Sequence, residues 1–185
     1  MLLKEDPVDL EPLADDLYVS FMSKSTHGDA VALLKKHPEL LHETSDYEDP
    51  WIVRAAHAGA YEVCSLLLEM GADINEKGKD WFALERAIRE GHLATTKLLL
   101  KNGADPNLGR TLISAFLTEQ PANQIPLAKL LIEHGVDVNQ TFEMFGDPNN
   151  LRTALDFSSG DDEFATLIRA AGGLTYRELQ AKRES

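Results

Sequence analysis

The chain has 185 residues, 43% of them hydrophobic and 26% charged, which is the size and composition of one ordinary folded domain. Its formal net charge of −13 argues against direct binding to nucleic acid or to an anionic membrane, because both carry the same sign of charge. A single cysteine, Cys64, excludes an internal disulfide and agrees with a reducing compartment. The acidic opening residues lack the basic start of a signal peptide, and no stretch is long enough for a membrane span, so we expect a cytoplasmic protein.

The first predicted elements are a divergent pair of helices. Leu13, Leu17 and Phe21 form an apolar stripe at helical spacing. A second helix leads on from Gly28 and is halted by Pro38. We interpret this segment as a divergent first repeat.

The central part of the chain contains one structural unit written three times. Gly71, Gly103 and Gly135 lie 32 residues apart, and each ends a leucine-rich run. The three phrases are LLLEMGADIN, LLLKNGADPN and LLIEHGVDVN. A fixed period of this length is typical of a repeat architecture, in which each unit covers its apolar face with its neighbours.

Each unit predicts two helices followed by a projecting turn. In the second unit, Asp49 caps a first helix that has Pro50 at its first position, and Gly59 closes this helix in the left-handed conformation. A second helix then runs to Gly71. The aspartate and asparagine that follow each such glycine are of the type that bonds to its own backbone in tight turns, so we expect a hairpin-like finger there.

The later units depart from this spacing. The fourth unit begins its first helix early, at Thr111, whereas residues 141–150 form an insert that we expect to be a loop. A short helix begins at Thr153, and a second helix ends at Gly172. A capping helix over 175–184 then closes the end of the stack.

These residues resemble the ankyrin repeat, and the resemblance covers most of the chain. It implies an all-α solenoid of about five helix–turn–helix repeats, with divergent N- and C-terminal caps, forming a single domain over residues 1–185. The predicted repeats cover residues 13–46, 47–78, 79–108, 109–140 and 151–173, followed by the capping helix 175–184. The sequences GDAVALLKKHPELL near the start and ATLIRAAGG near the end also resemble small free-standing bacterial ankyrin proteins. This second resemblance implies an immunity role, because some proteins of that kind block a toxic effector enzyme.

The sequence departs from the family at the TPLHxA phrase that heads each first helix. Here the phrase reads PWIV from Pro50, FALE from Phe82 and TALD from Thr153. The resemblance implies that the histidine of this phrase normally makes a hydrogen bond between repeats. Its loss therefore predicts a less regular stack.

The sequence contains no familiar pattern of catalytic, cofactor-binding or metal-binding residues. The six histidines lack the i, i+4 spacing of a helical zinc site, and Asp161, Asp162 and Glu163 are typical of a favourable helix start. Cys64 lies among apolar positions of a second helix, where a cysteine usually acts as a small buried hydrophobe. We therefore predict no enzyme activity, no cofactor and no metal.

Finger positions are the least constrained by packing, and in this chain they are aromatic and acidic. Protein interfaces commonly combine aromatic anchors with charged rims. Trp81 is the first candidate anchor, whereas Trp51 fits the core as well as an interface, and Phe142 and Phe145 fit packing on the stack as well as binding. The predicted partner-binding residues are Tyr47, Glu48, Asp49, Trp51, Lys79, Asp80, Trp81, Glu85, Phe142, Phe145 and Asp147.

The resemblance implies a module that grips another protein with its fingers and the concave face of its first helices. We predict an inhibitor or immunity protein, monomeric when unbound, that occludes a partner with a basic surface such as a toxic nuclease-type effector. A scaffold, adaptor or regulatory subunit that does not block its partner remains the alternative. The acidic charge also has a plainer interpretation as a solubility feature. We expect partner specificity to reside in the insert 141–150.

Overall fold

The computed structural model describes residues 10–21, 23–43, 49–144, 146–160 and 162–184. Within these ranges the chain forms helices α1 to α10 and one two-stranded hairpin. In chain order, α1 to α10 span Glu11–Ser20, His27–Lys36, Trp51–Ala58, Tyr61–Glu69, Ala83–Arg89, Leu93–Lys101, Thr111–Phe116, Gln124–Glu133, Glu163–Ala170 and Tyr176–Arg183. The strands are Phe142–Met144 (β1) and Asp147–Arg152 (β2).

The helices stack in two rows. The first helices α3, α5 and α7 pack side by side, and a 3-10 helix at Ala154–Phe157 continues this row against α7. The second helices α2, α4, α6, α8 and α9 form the other row in the same order. Leu67, Leu99 and Leu131, 32 residues apart on α4, α6 and α8, are all fully buried. The predicted all-α repeat solenoid is confirmed, with one small hairpin added.

Small side chains line the first row, and glycines in the left-handed conformation, Gly59 and Gly91, follow α3 and α5. Ala55 on α3, Ala87 on α5 and Ala115 on α7 are fully buried, which lets neighbouring first helices approach closely. Gly59 ends α3 in the left-handed conformation, as predicted, with φ at 65°. A Cβ added there would lie 2.7 Å from the His92 ring, so this position requires glycine for space as well as for conformation.

The start of α3 differs by one residue from the prediction. The N-cap position is Pro50, and Asp49 makes no capping bond to this helix. Instead its Oδ1 accepts a hydrogen bond from the backbone N–H of Lys79, 2.9 Å away in the next repeat. Asp49 therefore connects two repeats.

The fingers form the ladder that the aspartate and asparagine pattern predicts. Asp105 Oδ1 accepts from the backbone N–H of Asn107 at 2.8 Å, closing the turn. Asn107 Oδ1 then accepts from the backbone N–H of Asp137 in the following finger. In the same way, Asn75 Oδ1 accepts from the backbone N–H of Asp105 at 3.0 Å, and Asn139 Oδ1 accepts from the backbone N–H of Leu174 at 2.8 Å. The aspartates thus close each turn, while the asparagines join successive turns.

Carboxylates take over the inter-repeat contact that the missing histidine would make. Glu85, in the fourth place of FALE, accepts from the backbone N–H of Arg110 at 3.0 Å. Asp156, in the fourth place of TALD, accepts from the backbone N–H of Tyr176 at 2.9 Å. An acidic side chain therefore supplies a hydrogen bond to the following unit at these two places.

The insert folds into a hairpin that we did not predict. Strands β1 and β2 pair antiparallel, with Phe142 opposite Arg152, and the register is irregular after Glu143. Phe142 is 7% exposed and belongs to the core cluster. The insert is therefore anchored to the stack through its first strand. At the other end of this region, α10 begins at a capping box of Thr175 and Glu178, as predicted.

Candidate protein-binding surface

The finger before α5 is held at its base by backbone contacts. Lys77 and Phe82 face each other in a short bridge, and the backbone N–H of Gly78 donates to Trp81 O at 2.9 Å. The bond between Asp49 and the Lys79 N–H ties this finger to the repeat before it. Lys79 and Asp80 are exposed as a result.

Trp81 lies at the edge of this finger and is partly buried. Its ring packs partly against the core, and the Arg86 guanidinium lies over it, 4.8 Å from the ring centroid. Such stacking of arginine on tryptophan is a cation–π contact. Arg86 Nη1 is also 3.8 Å from Glu90 Oε1, so the arginine is held in place on the outer side of α5. Trp81 and Arg86 thus form one preorganised unit.

The preceding first helix carries a second arginine in the same arrangement. Arg54, on α3, lies over the ring of Tyr18, with its Cζ 5.1 Å from the centroid, and its Nε is 3.5 Å from Asp49 Oδ2. Arg54 and Arg86 are 32 residues apart, which is the period of the repeats. The first-helix face, as we name the outer side of α3 and α5 with Arg54, His57, Arg86, Arg89 and Glu90, is therefore rich in arginine.

His57 joins the two helices of this face. Its Nε2 is 3.7 Å from Glu90 Oε1. Burial, followed by the Arg86 charge, lowers the pKa of His57 below its ordinary value of 6.5, although Glu90 opposes this shift. The imidazole is therefore neutral near neutral pH. Its backbone carbonyl is 3.0 Å from His92 Nε2, which connects it to the next repeat as well.

Three of the predicted binding residues are buried, and these predictions are wrong. Trp51 is 2% exposed, and its indole N–H donates to Leu40 O at 2.8 Å. Glu85 is 3% exposed because its carboxylate serves the backbone of the next repeat. Phe142 folds back on the stack. None of the three side chains is accessible to a partner that binds the folded protein.

Apart from Trp81, the remaining predicted residues are partly buried, exposed or outside the described ranges. Asp49 is partly buried and structural, whereas Lys79 and Asp80 are exposed. Asp147 is exposed at the start of β2, where its Oδ1 accepts from the backbone N–H of Asn149 at 2.9 Å. Tyr47, Glu48 and Phe145 lie outside the described residues.

The finger edge, defined as residues 71–82, 103–110 and 135–147, is acidic, whereas each arginine of the first-helix face is paired with a carboxylate. Its exposed acidic residues are Asp73, Glu76, Asp80, Asp105, Asp137, Glu143 and Asp147, and its exposed basic ones are Lys77, Lys79 and Arg110. Several of these acids also have a structural role in the turns. The acidic finger edge therefore arises in part from turn chemistry.

Sequence reasoning missed the arginines of the first-helix face. It placed an acidic character on this whole side of the molecule, because the aromatic and acidic finger residues dominate the pattern. The spacing of 32 residues between Arg54 and Arg86 was available as a signal, since it repeats the interval between the glycines. Tyr18, which lies under Arg54, gave no such signal because it comes from the divergent first repeat.

The reactive groups in the described part of the chain are shielded or dispersed. Cys64 is fully buried, and burial raises the pKa of its thiol to about 12, which confirms its packing role. Asp162 caps α9, with its Oδ1 accepting from Ala165 N–H at 2.7 Å, and that bond lowers its pKa. Within the described ranges, no group of three or more His, Cys, Asp and Glu side chains could hold a metal ion. A helix long and apolar enough to cross a membrane does not occur there either.

Comparisons with known proteins agree with this geometry. A family model described as Ankyrin repeats (3 copies) matches residues 19–110. The chain is 35% identical over 85 residues to the Ankyrin repeat and KH domain-containing protein mask-1 of Caenorhabditis elegans. It is 30% identical over 110 residues to the Ankyrin repeat protein nuc-2 of Neurospora crassa. These segments cover 44% and 57% of this chain, but only 3% and 10% of the two relatives.

Ankyrin repeats indicate a protein–protein interaction module, since a solenoid of this kind presents an extended binding surface. Together with the two rows of stacked helices, the match shows that the chain is built of ankyrin repeats and is an ankyrin-repeat protein.

Proposed function

We propose that this chain is a non-catalytic inhibitor of another protein, which it occludes with its first-helix face and finger edge. The observation that carries the proposal is the unit formed by Trp81 and Arg86. It is held in place by contacts within the protein and is still partly exposed. Partly exposed tryptophan and arginine side chains are the residue types most enriched at interface hot spots.

The acidic finger edge supports a partner with a basic surface, such as a nuclease-type effector. Exposed carboxylates along this edge would raise the rate of association with such a surface and would lose that effect as salt is added. In this proposal the protein acts in the cytosol, in the manner of an immunity protein. It is monomeric before binding, which is supported by the placement of the exposed large apolar side chains among the described residues: Val19 lies on α1, Tyr61 at the start of α4 and Leu117 just after α7.

The proposed absence of catalysis is supported by what the reactive groups do. The Cys64 thiol is buried among apolar side chains, and the buried Glu85 carboxylate is occupied by backbone and hydroxyl donors. Both groups therefore have a structural use that explains their presence.

The test is to capture the partner with the wild-type chain and to measure the partner's own activity at equal stoichiometry. An inhibitor abolishes this activity, and association slows as ionic strength rises. The double variant Trp81→Ala, Arg86→Ala should release the partner, whereas Lys97→Ala, at an exposed position of α6 in the other row, should retain it. Full partner activity in the complex would instead indicate an adaptor, and equal retention of the partner by all variants would disprove the proposed surface.

A further inference from the structure

An open groove of about 320 Å³ lies between α1 and α2, in the first repeat. Its lining consists of Asp16, Val19 and Ser20 on α1, Thr26 just before α2, and Asp29 and Leu33 on α2. Val19 is 62% exposed, more than any other large apolar side chain in the described part of the chain. The groove therefore presents apolar surface to whatever binds there.

The hydroxyl groups of the groove already donate their hydrogens to the backbone. Ser20 Oγ donates to Leu17 O at 2.6 Å. Thr26 Oγ1 lies 2.9 Å from Ser20 O and 2.8 Å from Ser23 O, and its single hydrogen serves these two carbonyls. A polar ligand therefore meets side chains that can accept hydrogen bonds but have none to donate.

The two carboxylates of the groove have no partner among the described residues. Asp16 and Asp29 are exposed, and neither side chain makes a hydrogen bond or an ion pair within the described ranges. The helix dipole favours Asp29, which lies in the first turn of α2, but it does not explain Asp16 in the middle of α1. Each wall of the groove therefore offers one carboxylate that can accept hydrogen bonds.

We infer that this groove binds a basic side chain, lysine or arginine, of the partner protein. The inference rests on the proposed function, in which the partner has a basic surface, and it specifies one place where that surface is held. The methylene stem of the bound side chain lies on Val19 and Leu33, and its charged end reaches the carboxylates. Long basic side chains commonly bury their stems on apolar surface while their charge stays at the edge.

Acidic and neutral side chains fit this groove less well than basic ones. A bound carboxylate would meet two like charges in a protein whose net charge is already −13. A neutral apolar side chain would cover Val19, but it would remove water from the carboxylates without giving them a partner. A basic side chain both covers the apolar surface and pairs with the acids beside it.

The groove is separate from the unit of Trp81 and Arg86. Its lining residues all come from the first repeat, whereas Trp81 and Arg86 belong to the third. On α1, the neighbouring residue Tyr18 lies under Arg54 of α3 and so faces the second repeat. Variants of the groove can therefore be tested without changing the first-helix face.

The experiment is an NMR titration of the isotope-labelled 185-residue chain with two short capped peptides. One peptide has a central lysine between alanines, and the other has Nε-acetyl-lysine there, which keeps the stem and removes the charge. We expect the lysine peptide to bind about fivefold more tightly, the effect of ion pairs at an exposed site. This difference should disappear in about 1 M salt, because the charges are then screened. The shift changes should concentrate on Asp16, Val19, Ser20, Asp29 and Leu33.

Matched variants decide whether the groove is responsible. Asp16→Asn and Asp29→Asn should each bring binding of the lysine peptide closer to that of the acetyl-lysine peptide, and Val19→Ser should weaken binding of both. Asp15→Asn is the control, because it removes the same charge one residue away on α1, outside the groove lining, and should leave binding unchanged. If Asp29→Asn disturbs the start of α2, Asp16→Asn serves alone, since Asp16 is exposed and makes no contact within the described ranges that the fold would lose.

Three results would overturn the inference. Equal binding of the two peptides would exclude a role for the charge. Equal weakening by Asp15→Asn and Asp16→Asn would mean that the net charge of the protein attracts the peptide. Self-association of the peptide-free chain that Asp16→Asn abolishes would mean that a second copy fills the groove.

Each of these results leaves capture of the partner through Trp81 and Arg86 intact. Conversely, capture that does not depend on Trp81 and Arg86, with binding of the lysine peptide retained, would overturn the proposed function alone. The two proposals therefore fail separately.

Discussion

The two tryptophans of the chain lie near the helix starts of the second and third repeats, and they differ in solvent exposure. Trp51 is the first residue of α3 and is 2% exposed, whereas Trp81 lies two residues before α5 and is partly exposed beneath Arg86. One repeat away, the place of Trp51 is taken by the fully buried Ala83, and the place of Trp81 by Asp49. Two residues of offset along the same turn therefore separate a core position from a surface position.

Replacing the buried tryptophan should have the largest effect. Trp51→Ala removes an indole that contacts Phe21, with ring centroids 5.8 Å apart, and that donates to Leu40 O. We expect the free energy of unfolding to fall by about 3–5 kcal/mol, the usual cost of deleting a buried aromatic side chain. Urea unfolding followed by circular dichroism measures this loss. A loss as small as that of Trp81→Ala would mean that the two helix starts are equivalent after all.

Glu85 extends the comparison of buried and exposed positions to a charged side chain, because it lies at a buried position of α5. Glu85→Ala leaves the Arg110 N–H and the Ser114 hydroxyl without their acceptor, so we expect a loss of about 1–3 kcal/mol. Glu85→Gln keeps an acceptor oxygen for both donors and should avoid this loss. The stability of Glu85→Ala relative to Glu85→Gln, from urea unfolding, measures the value of that acceptor.

The same residue predicts a pH dependence. Burial raises the pKa of Glu85 above its ordinary value of 4.5, so the folded state binds this proton more tightly than the unfolded state does. Its contribution to stability is therefore lost as pH rises from the unfolded pKa through the raised folded one. Glu85→Gln should gain stability relative to wild type as pH rises above the ordinary pKa of 4.5. Parallel stability curves for the two proteins would contradict the assignment.

Asp49 occupies the position of Trp81 in the preceding repeat. Its substitution measures how much a polar side chain at that position contributes to stability. Asp49→Ala removes the acceptor for Lys79 N–H and the partner of Arg54. We expect a loss of about 1 kcal/mol, the typical net value of one hydrogen bond. Asp80→Ala, at the exposed finger tip, is the matched control and should change stability little. Thermal unfolding of both variants gives the comparison.

Trp81→Ala should have the smallest effect on stability. It removes a cation–π contact and a partly buried ring, for which we expect about 1 kcal/mol or less. Its effect on partner binding should be larger, on the order of tenfold in affinity or more, as for an interface hot spot. Binding to the captured partner, measured by calorimetry beside the unfolding curve, separates the two effects. Unfolding of the variant would place Trp81 in the core with Trp51.

Most of the fold could be read from the spacing of a few residues. Gly71, Gly103 and Gly135 locate the ends of second helices, and the leucines before them fill the second row, because a repeated unit must bury the same positions each time. The early start of α7 at Thr111 and the capping box at Thr175 were also predicted correctly. These features depend on local backbone chemistry, which a short stretch of sequence contains in full.

The candidate site could be predicted only in part. The sequence favours Trp81 as the anchor and leaves Trp51 open between core and interface, and only the tertiary structure shows that Trp51 is buried. Phe142 is buried because β1 folds back on the stack, and the sequence of the insert did not predict that pairing. The sequence predicts an accessible charge at Glu85, and only the position of the Arg110 N–H explains why its carboxylate is buried. Each of these depends on a contact between residues that are distant in the chain.

By itself, the sequence determined the repeat architecture, the Asp and Asn turns and the acidic finger edge, since these follow from residue type and period. Only the tertiary structure decided which aromatic side chains remain accessible and that Arg54, His57 and Arg86 gather on the first-helix face. The physical reason is that exposure and charge pairing are properties of neighbouring repeats in contact, and stacking is what brings side chains 32 residues apart together.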